Sequence, residues 1–86
     1  MGKYRLVLRK GVAKDLRAIP KRDVKRMLAR MDALTNDPRP IGCEKLSGQE
    51  RYRVRQSVCR IIYEIVDDRL IVTVVKVGHR GQFYER

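Results

Sequence analysis

Histidine is nearly missing from this chain, with His79 the single copy among 86 residues. The two cysteines, Cys43 and Cys59, do not make a Cys-x-x-Cys pair. With so few clustered ligands, no metal site, zinc included, is expected. Cys59 sits in an apolar run and reads as an ordinary buried thiol, and nothing demands a disulfide. The N-terminal Met-Gly-Lys-Tyr-Arg opens no long apolar run, so no secretory signal is expected. No stretch approaches the ~20 apolar residues that cross a bilayer. The expected compartment is therefore the cytosol, with no membrane partner. Negative charge is also scarce: 10 Asp and Glu stand against 21 Lys and Arg, a formal net charge of +11. An excess of that size repels itself and suits a polyanionic partner.

The length fits one small domain, residues 1–86, without repeats or low-complexity segments. Such a chain buries only somewhat more than ~60% of its unfolded surface, so moderate stability is expected. Tyr4 to Leu8 alternates and reads as a strand, closed by Gly11. Val12, Leu16 and Ile19 recur at the spacing of one helix face, and Pro20 stops or restarts that helix. Asp23 to Leu34 reads as the clearest helix, with Val24, Met27, Leu28, Met31 and Leu34 as its apolar stripe. Asp37-Pro38-Arg39-Pro40 then runs extended, because each proline disfavours helical geometry in the residue before it. Ile41 to Gln49 reads as loop. Strands are expected over Arg51–Gln56, Cys59–Val66 and Leu70–Val77, with Asp67-Asp68-Arg69 as a hairpin turn. The long β-branched runs in the last two place them at the sheet centre, under the helices. The fold class is α+β: strand, helix, helix, three strands, in a mainly antiparallel sheet with a helical pair on one face.

Basic residues punctuate those strands. In an extended chain alternate side chains share a face. Arg51, Arg53 and Arg55 therefore point one way, and Tyr52 and Val54 the other. A row of cations on an open sheet face makes sense against a dense anion, with RNA the leading candidate. Tyr52 and Tyr63 read as core rather than as platforms for bases.

Several segments together resemble the RelE/ParE superfamily of toxins from bacterial toxin–antitoxin pairs, over nearly the whole chain. They are Leu34-Thr35-Asn36-Asp37-Pro38-Arg39-Pro40-Ile41-Gly42, Lys45-Leu46-Ser47-Gly48, Tyr52-Arg53-Val54-Arg55, Arg60-Ile61-Ile62-Tyr63-Glu64-Ile65 and Val77-Gly78-His79-Arg80. The resemblance is closest to the RelE branch, whose members cleave messenger RNA in the ribosomal A site. ParE-branch members instead poison DNA gyrase and generally lack the full basic set. By motif, the resemblance puts Arg53 and Arg55 on the basic pair, Arg60 on the arginine opening the next strand, Arg80 on the arginine after the last strand and Tyr84 on the C-terminal tyrosine. Arginines stand here where the family often has lysines, and an arginine, unlike a lysine, effectively cannot be tuned to exchange a proton.

The reaction so implied moves the RNA phosphate from the 5′-oxygen of the next nucleotide to the neighbouring 2′-hydroxyl. A base must take the hydroxyl proton, cations must stabilise the charge gained by the phosphate, and an acid must protonate the leaving oxygen. No metal or other cofactor is implied. Arg60, Arg80, Tyr84 and His79 are the candidate catalytic residues. Arg51, Arg53, Arg55, Lys45 and Phe83 are the candidate RNA contacts. Tyr84 and His79 are the alternatives for proton transfer: a tyrosine titrates near ~10 but neighbouring cations favour its phenolate, and histidine titrates near neutrality. The expected partners are messenger RNA on the ribosome and an acidic, partly disordered antitoxin that folds as it binds. Two other readings share the fold: a ParE-like gyrase inhibitor, and a basic RNA- or ribosome-binding protein that does not cut.

Overall fold

The computed structural model describes residues 3–46 and 50–79. The elements are β1 (Arg5–Leu8), α1 (Lys10–Arg17), α2 (Lys21–Asn36), β2 (Glu44–Lys45), β3 (Arg51–Gln56), β4 (Cys59–Val66), a 3-10 turn (Asp67–Arg69) and β5 (Ile71–His79). This is the expected α+β order with one addition, the short β2 inside the segment read as loop. Pro20 separates the helices as the N-cap of α2, with φ −55°. At the other end Asp37, which precedes Pro38, is extended at φ −144°, as the proline ring requires.

Among the described residues the strands form one five-stranded sheet in the order β1-β5-β4-β3-β2. The pairs β2–β3, β3–β4 and β4–β5 are antiparallel. β1 adds parallel to β5 at the far edge, a pairing that the crossover through both helices makes possible. β4 and β5 lie inside the sheet, as their β-branched runs require.

The helices cover one face. The core between them and the sheet holds Val12, Ile19, Met27, Met31 and Leu34 from the helical side and Val54, Cys59, Ile61, Tyr63, Val72, Val74 and Val77 from the strands. Leu28, expected on the apolar stripe of α2, is 43% exposed. The helix meets the sheet along Met27, Met31 and Leu34, and Leu28 lies about 100° round the axis from Met27. Tyr52 and Tyr63 do face the core, stacked with ring centroids 5.8 Å apart. The Tyr63 hydroxyl donates to the Pro38 carbonyl at 2.7 Å, tying β4 to the segment after α2.

A single irregularity in β4–β5 decides which residues share a face. Ile62 pairs with Lys76 but Tyr63 pairs with Val74, so Val75 is an extra residue in β5. An inserted residue reverses the side-chain alternation beyond it. Val72 and Val74 point into the core before the bulge, and Val77 does so after it.

Asp67 fastens three segments at one end of the sheet. Its carboxylate accepts from the Arg39 guanidinium at 2.9 and 3.2 Å and from the Tyr4 hydroxyl at 2.8 Å. The Arg39 hydrogen bonds, then the one from Tyr4, hold this carboxyl below the usual carboxylate range. A carboxyl with a depressed folded-state pKa contributes stability above its unfolded pKa, ~3.9, and that contribution is lost as pH falls through the folded value. Between pH 7 and pH 3, the wild-type melting temperature is therefore expected to fall further than that of Asp67→Asn. Circular dichroism melts at the two pH values measure this, and equal falls would show that the clamp adds nothing.

Candidate nucleic-acid interface

The face turned away from the helices carries three rows of neighbouring side chains. The first runs Thr73, Glu64, Arg51; the second Lys76, Ile62, Arg53, Glu44; the third Gly78, Arg60, Arg55. The alternation of β3 therefore puts Arg51, Arg53 and Arg55 on this face, and β4 adds Arg60.

The rows differ in charge balance. In the first, Glu64 accepts from Arg51 Nε at 2.9 Å, and Arg9 approaches the same carboxylate at 3.9 Å. Arg51 thus shares one carboxylate with Arg9. In the second, Arg53 donates to Glu44, with Nε to Oε1 at 3.1 Å. That hydrogen bond is the main cause holding the Glu44 carboxyl below its usual range, and the charges of Arg55 and Arg60 add to it. In the third row Arg55 and Arg60 are direct cross-strand partners. Like charges placed opposite one another destabilise a sheet, and Gly78 beyond them contributes no side chain. Among the described residues, Glu44 is the carboxylate that stands in these two rows with Arg53, Arg55, Arg60 and Lys76.

Such a surface can bind a phosphodiester. Arginine keeps its charge, and its planar fork matches phosphate oxygens. Lys76 belongs here although alternation from Val72 and Val74 predicts it in the core; the bulge turns it out, and no local sequence signal announces the bulge. Lys45 is not brought to the rows. It pairs in register with Tyr52, on the other side of the sheet, and its contact with Glu50 is exposed, with Nζ and Oε2 3.7 Å apart. His79 also lies apart from the arginines, since it pairs with the buried Cys59 on the helix-covered side. Arg80, Phe83 and Tyr84 fall outside the described residues. An open apolar groove of about 710 Å³, floored by Leu16, Ile19 and Val24 and rimmed by Arg17, Lys21, Arg22 and Lys25, lies at the helical corner, away from the cation rows.

The fold agrees with comparisons to known proteins. Residues 6–84 match the family model described as ParE toxin of type II toxin-antitoxin system, parDE. The chain belongs to that family, within the RelE/ParE superfamily of toxins. Among solved structures, it is similar to the archaeal RelE–RelB complex from Pyrococcus horikoshii OT3, with 30% identity over 93% of this chain and 98% of that one and a TM-score of 0.81. The toxin–antitoxin complex RelBE2 from Mycobacterium tuberculosis shares the fold at 21% identity, covering 91% of this chain and 99% of that one, TM-score 0.82. YafQ from E. coli does so at 18% identity, covering 95% and 99%, TM-score 0.73. A search of curated proteins by sequence returned no match.

Proposed function

We propose that this toxin is an endoribonuclease that cuts messenger RNA in the ribosomal A site. The observation that carries the reading is the juxtaposition of Arg55 and Arg60 across β3 and β4, flanked by Arg53 and Lys76. Two guanidiniums on adjacent strands can hold one phosphodiester between them through charge-assisted hydrogen bonds. In the reaction, the 2′-oxygen attacks the adjacent phosphorus and loses its proton. The bond from phosphorus to the 5′-oxygen of the next nucleotide breaks, and that oxygen takes up a proton. The products are a 2′,3′-cyclic phosphate and a 5′-hydroxyl. Arg60 and Arg80 stabilise the charge that builds on the non-bridging oxygens. Arg53, Arg55 and Lys76 hold the flanking backbone. Tyr84 exchanges the proton; the roles of Arg80 and Tyr84 rest on motif alone. His79 receives no step because its side chain faces the helices.

The partner of the toxin is an antitoxin, as RelB is for the archaeal RelE. The basic surface calls for an acidic segment in it, which folds on binding and competes with RNA for the same cations.

Primer extension on a message held by purified ribosomes with an empty A site tests the reading. Codon-positioned cuts are expected with wild type, none on free RNA, and far fewer with Arg80→Ala. A folded wild-type protein that makes no cuts would overturn it. The ParE match favours a second reading, inhibition of DNA gyrase without chemistry of the toxin's own. Loss of gyrase supercoiling activity, with messages intact, would support that alternative.

Glu44 is the carboxylate that competes with phosphate for Arg53. Glu44→Gln is therefore expected to tighten binding of single-stranded RNA. It should also steepen the slope of log affinity against log salt by ~0.7, the value of one further phosphate contact. Fluorescence anisotropy over a sodium chloride series reads both quantities, and an unchanged slope would mean that Arg53 already contacts RNA with Glu44 in place.

A further inference from the structure

Asp23, Cys59 and His79 meet at one corner of the interface between helices and sheet. One donor atom from each lies within 4.8 Å of the other two. Asp23 stands in the first turn of α2 and is 8% exposed, Cys59 opens β4 at 1%, and half-buried His79 closes β5. Cys59 and His79 are register partners, so their side chains leave adjacent backbones on the same face. Three separate elements thus fix the donors, and the residues are too far apart in sequence for any spacing rule to pair them.

The donor set is one sulfur, one nitrogen and one oxygen. That mixture suits a borderline-soft, tetrahedral ion and disfavours magnesium or calcium, which take oxygen ligands. With Zn–S near ~2.3 Å and Zn–N or Zn–O near ~2.0–2.1 Å, donors in a tetrahedral site stand roughly 3.5 Å apart. The present separations of up to 4.8 Å exceed that spacing by on the order of 1 Å. The burial of a carboxylate beside a thiol also favours a cation between them.

We infer that Asp23, Cys59 and His79 form a binding site for zinc, with water as the fourth ligand on the half-buried His79 side. The ion lies on the helix-covered side of the sheet, opposite the cation rows, and takes no part in phosphate chemistry. It fastens the start of α2 to the start of β4 and the end of β5. Arg60 directly follows Cys59, so the same ion steadies the backbone that leads into that candidate catalytic arginine. The inference does not depend on ribonuclease activity.

The test is optical titration of the full-length chain, stripped with chelator and kept reduced, first with Co²⁺ and then with Zn²⁺. One equivalent of Co²⁺ is expected to give a thiolate-to-cobalt charge-transfer band and tetrahedral visible bands, both abolished by one equivalent of Zn²⁺. The bands should survive Cys43→Ser and disappear in Cys59→Ser. His79→Gln and Asp23→Asn should weaken Co²⁺ affinity by on the order of tenfold or more. Zn²⁺ should raise the melting temperature of wild type but not of His79→Gln. His79 lies outside the apolar core, so its variant keeps the test open should Cys59→Ser fail to fold. A natively folded wild type without the thiolate band overturns the inference. So does a band that follows Cys43, or one indifferent to His79→Gln.

Discussion

Arg60→Ala is expected to lower A-site cleavage by about 10²–10³-fold, the loss typical when one charge-stabilising donor is removed from a transition state. Arg60 lies on the open sheet face, half-buried, directly across from Arg55. Its guanidinium offers a fixed positive charge and a planar pair of donors to a phosphate whose negative charge grows during attack. Arg60→Lys keeps the charge and loses the fork, so it should fall between wild type and alanine. The cost to folding should be small. Exchange at a surface position outside the core changes stability by about 0.5 kcal/mol or less, and removing one of two opposed cations relieves repulsion. The melting temperature should stay within about 4 °C of wild type. Low activity in a stable protein separates a role in chemistry from a role in folding. Wild-type cleavage by Arg60→Ala would remove the arginine pair from the mechanism, and a large fall in melting temperature would make Arg60 a structural residue.

Tyr63→Ala should be the most damaging single change to the fold. Tyr63 is fully buried at the centre of β4, stacked on Tyr52 and hydrogen-bonded to the Pro38 carbonyl at 2.7 Å. Truncating a buried aromatic residue to alanine costs ~3–5 kcal/mol. In a domain of this size that lowers the melting temperature by on the order of 20 °C. Tyr63→Phe keeps the ring and removes only the hydroxyl. It should cost about 1 kcal/mol for the lost hydrogen bond and the carbonyl left without its partner. Thermal unfolding followed by circular dichroism separates the two contributions. Equal midpoints for Tyr63→Phe and wild type would show that the Pro38 contact does not anchor the segment after α2. The consequence reaches the interface, because β4 presents Arg60 and Glu64 on the side opposite Tyr63.

Much of this architecture was legible in short-range patterns. The period of the apolar residues marks α1 and α2, and Pro20 and Pro38 bracket the second helix. Strict alternation in Arg51–Gln56 already puts Arg51, Arg53 and Arg55 on one face, where the sheet register keeps them. The pairing of Glu64 with an arginine also follows from a lone carboxylate set between apolar residues in a strand. β2 was not legible: two residues carry no periodicity, and they form a strand only because β3 offers a free edge. The exposure of Leu28 was hidden for a related reason, since hydropathy does not say along which line a helix meets its sheet.

What the sequence determined by itself is the order of its elements, the cationic face of β3 and the membership of the toxin superfamily, because each is written in neighbouring residues. What only the tertiary structure decided is the company that distant residues keep. Unbroken alternation in β5 sends Lys76 to the core and His79 to the face of the arginines. The extra residue Val75 reverses both assignments, placing Lys76 among the cations and His79 beside Cys59 and Asp23. A bulge arises from the pairing of two strands, and the meeting of α2 with the ends of β4 and β5 arises from packing. Neither is a property of any one segment, so no local pattern encodes it.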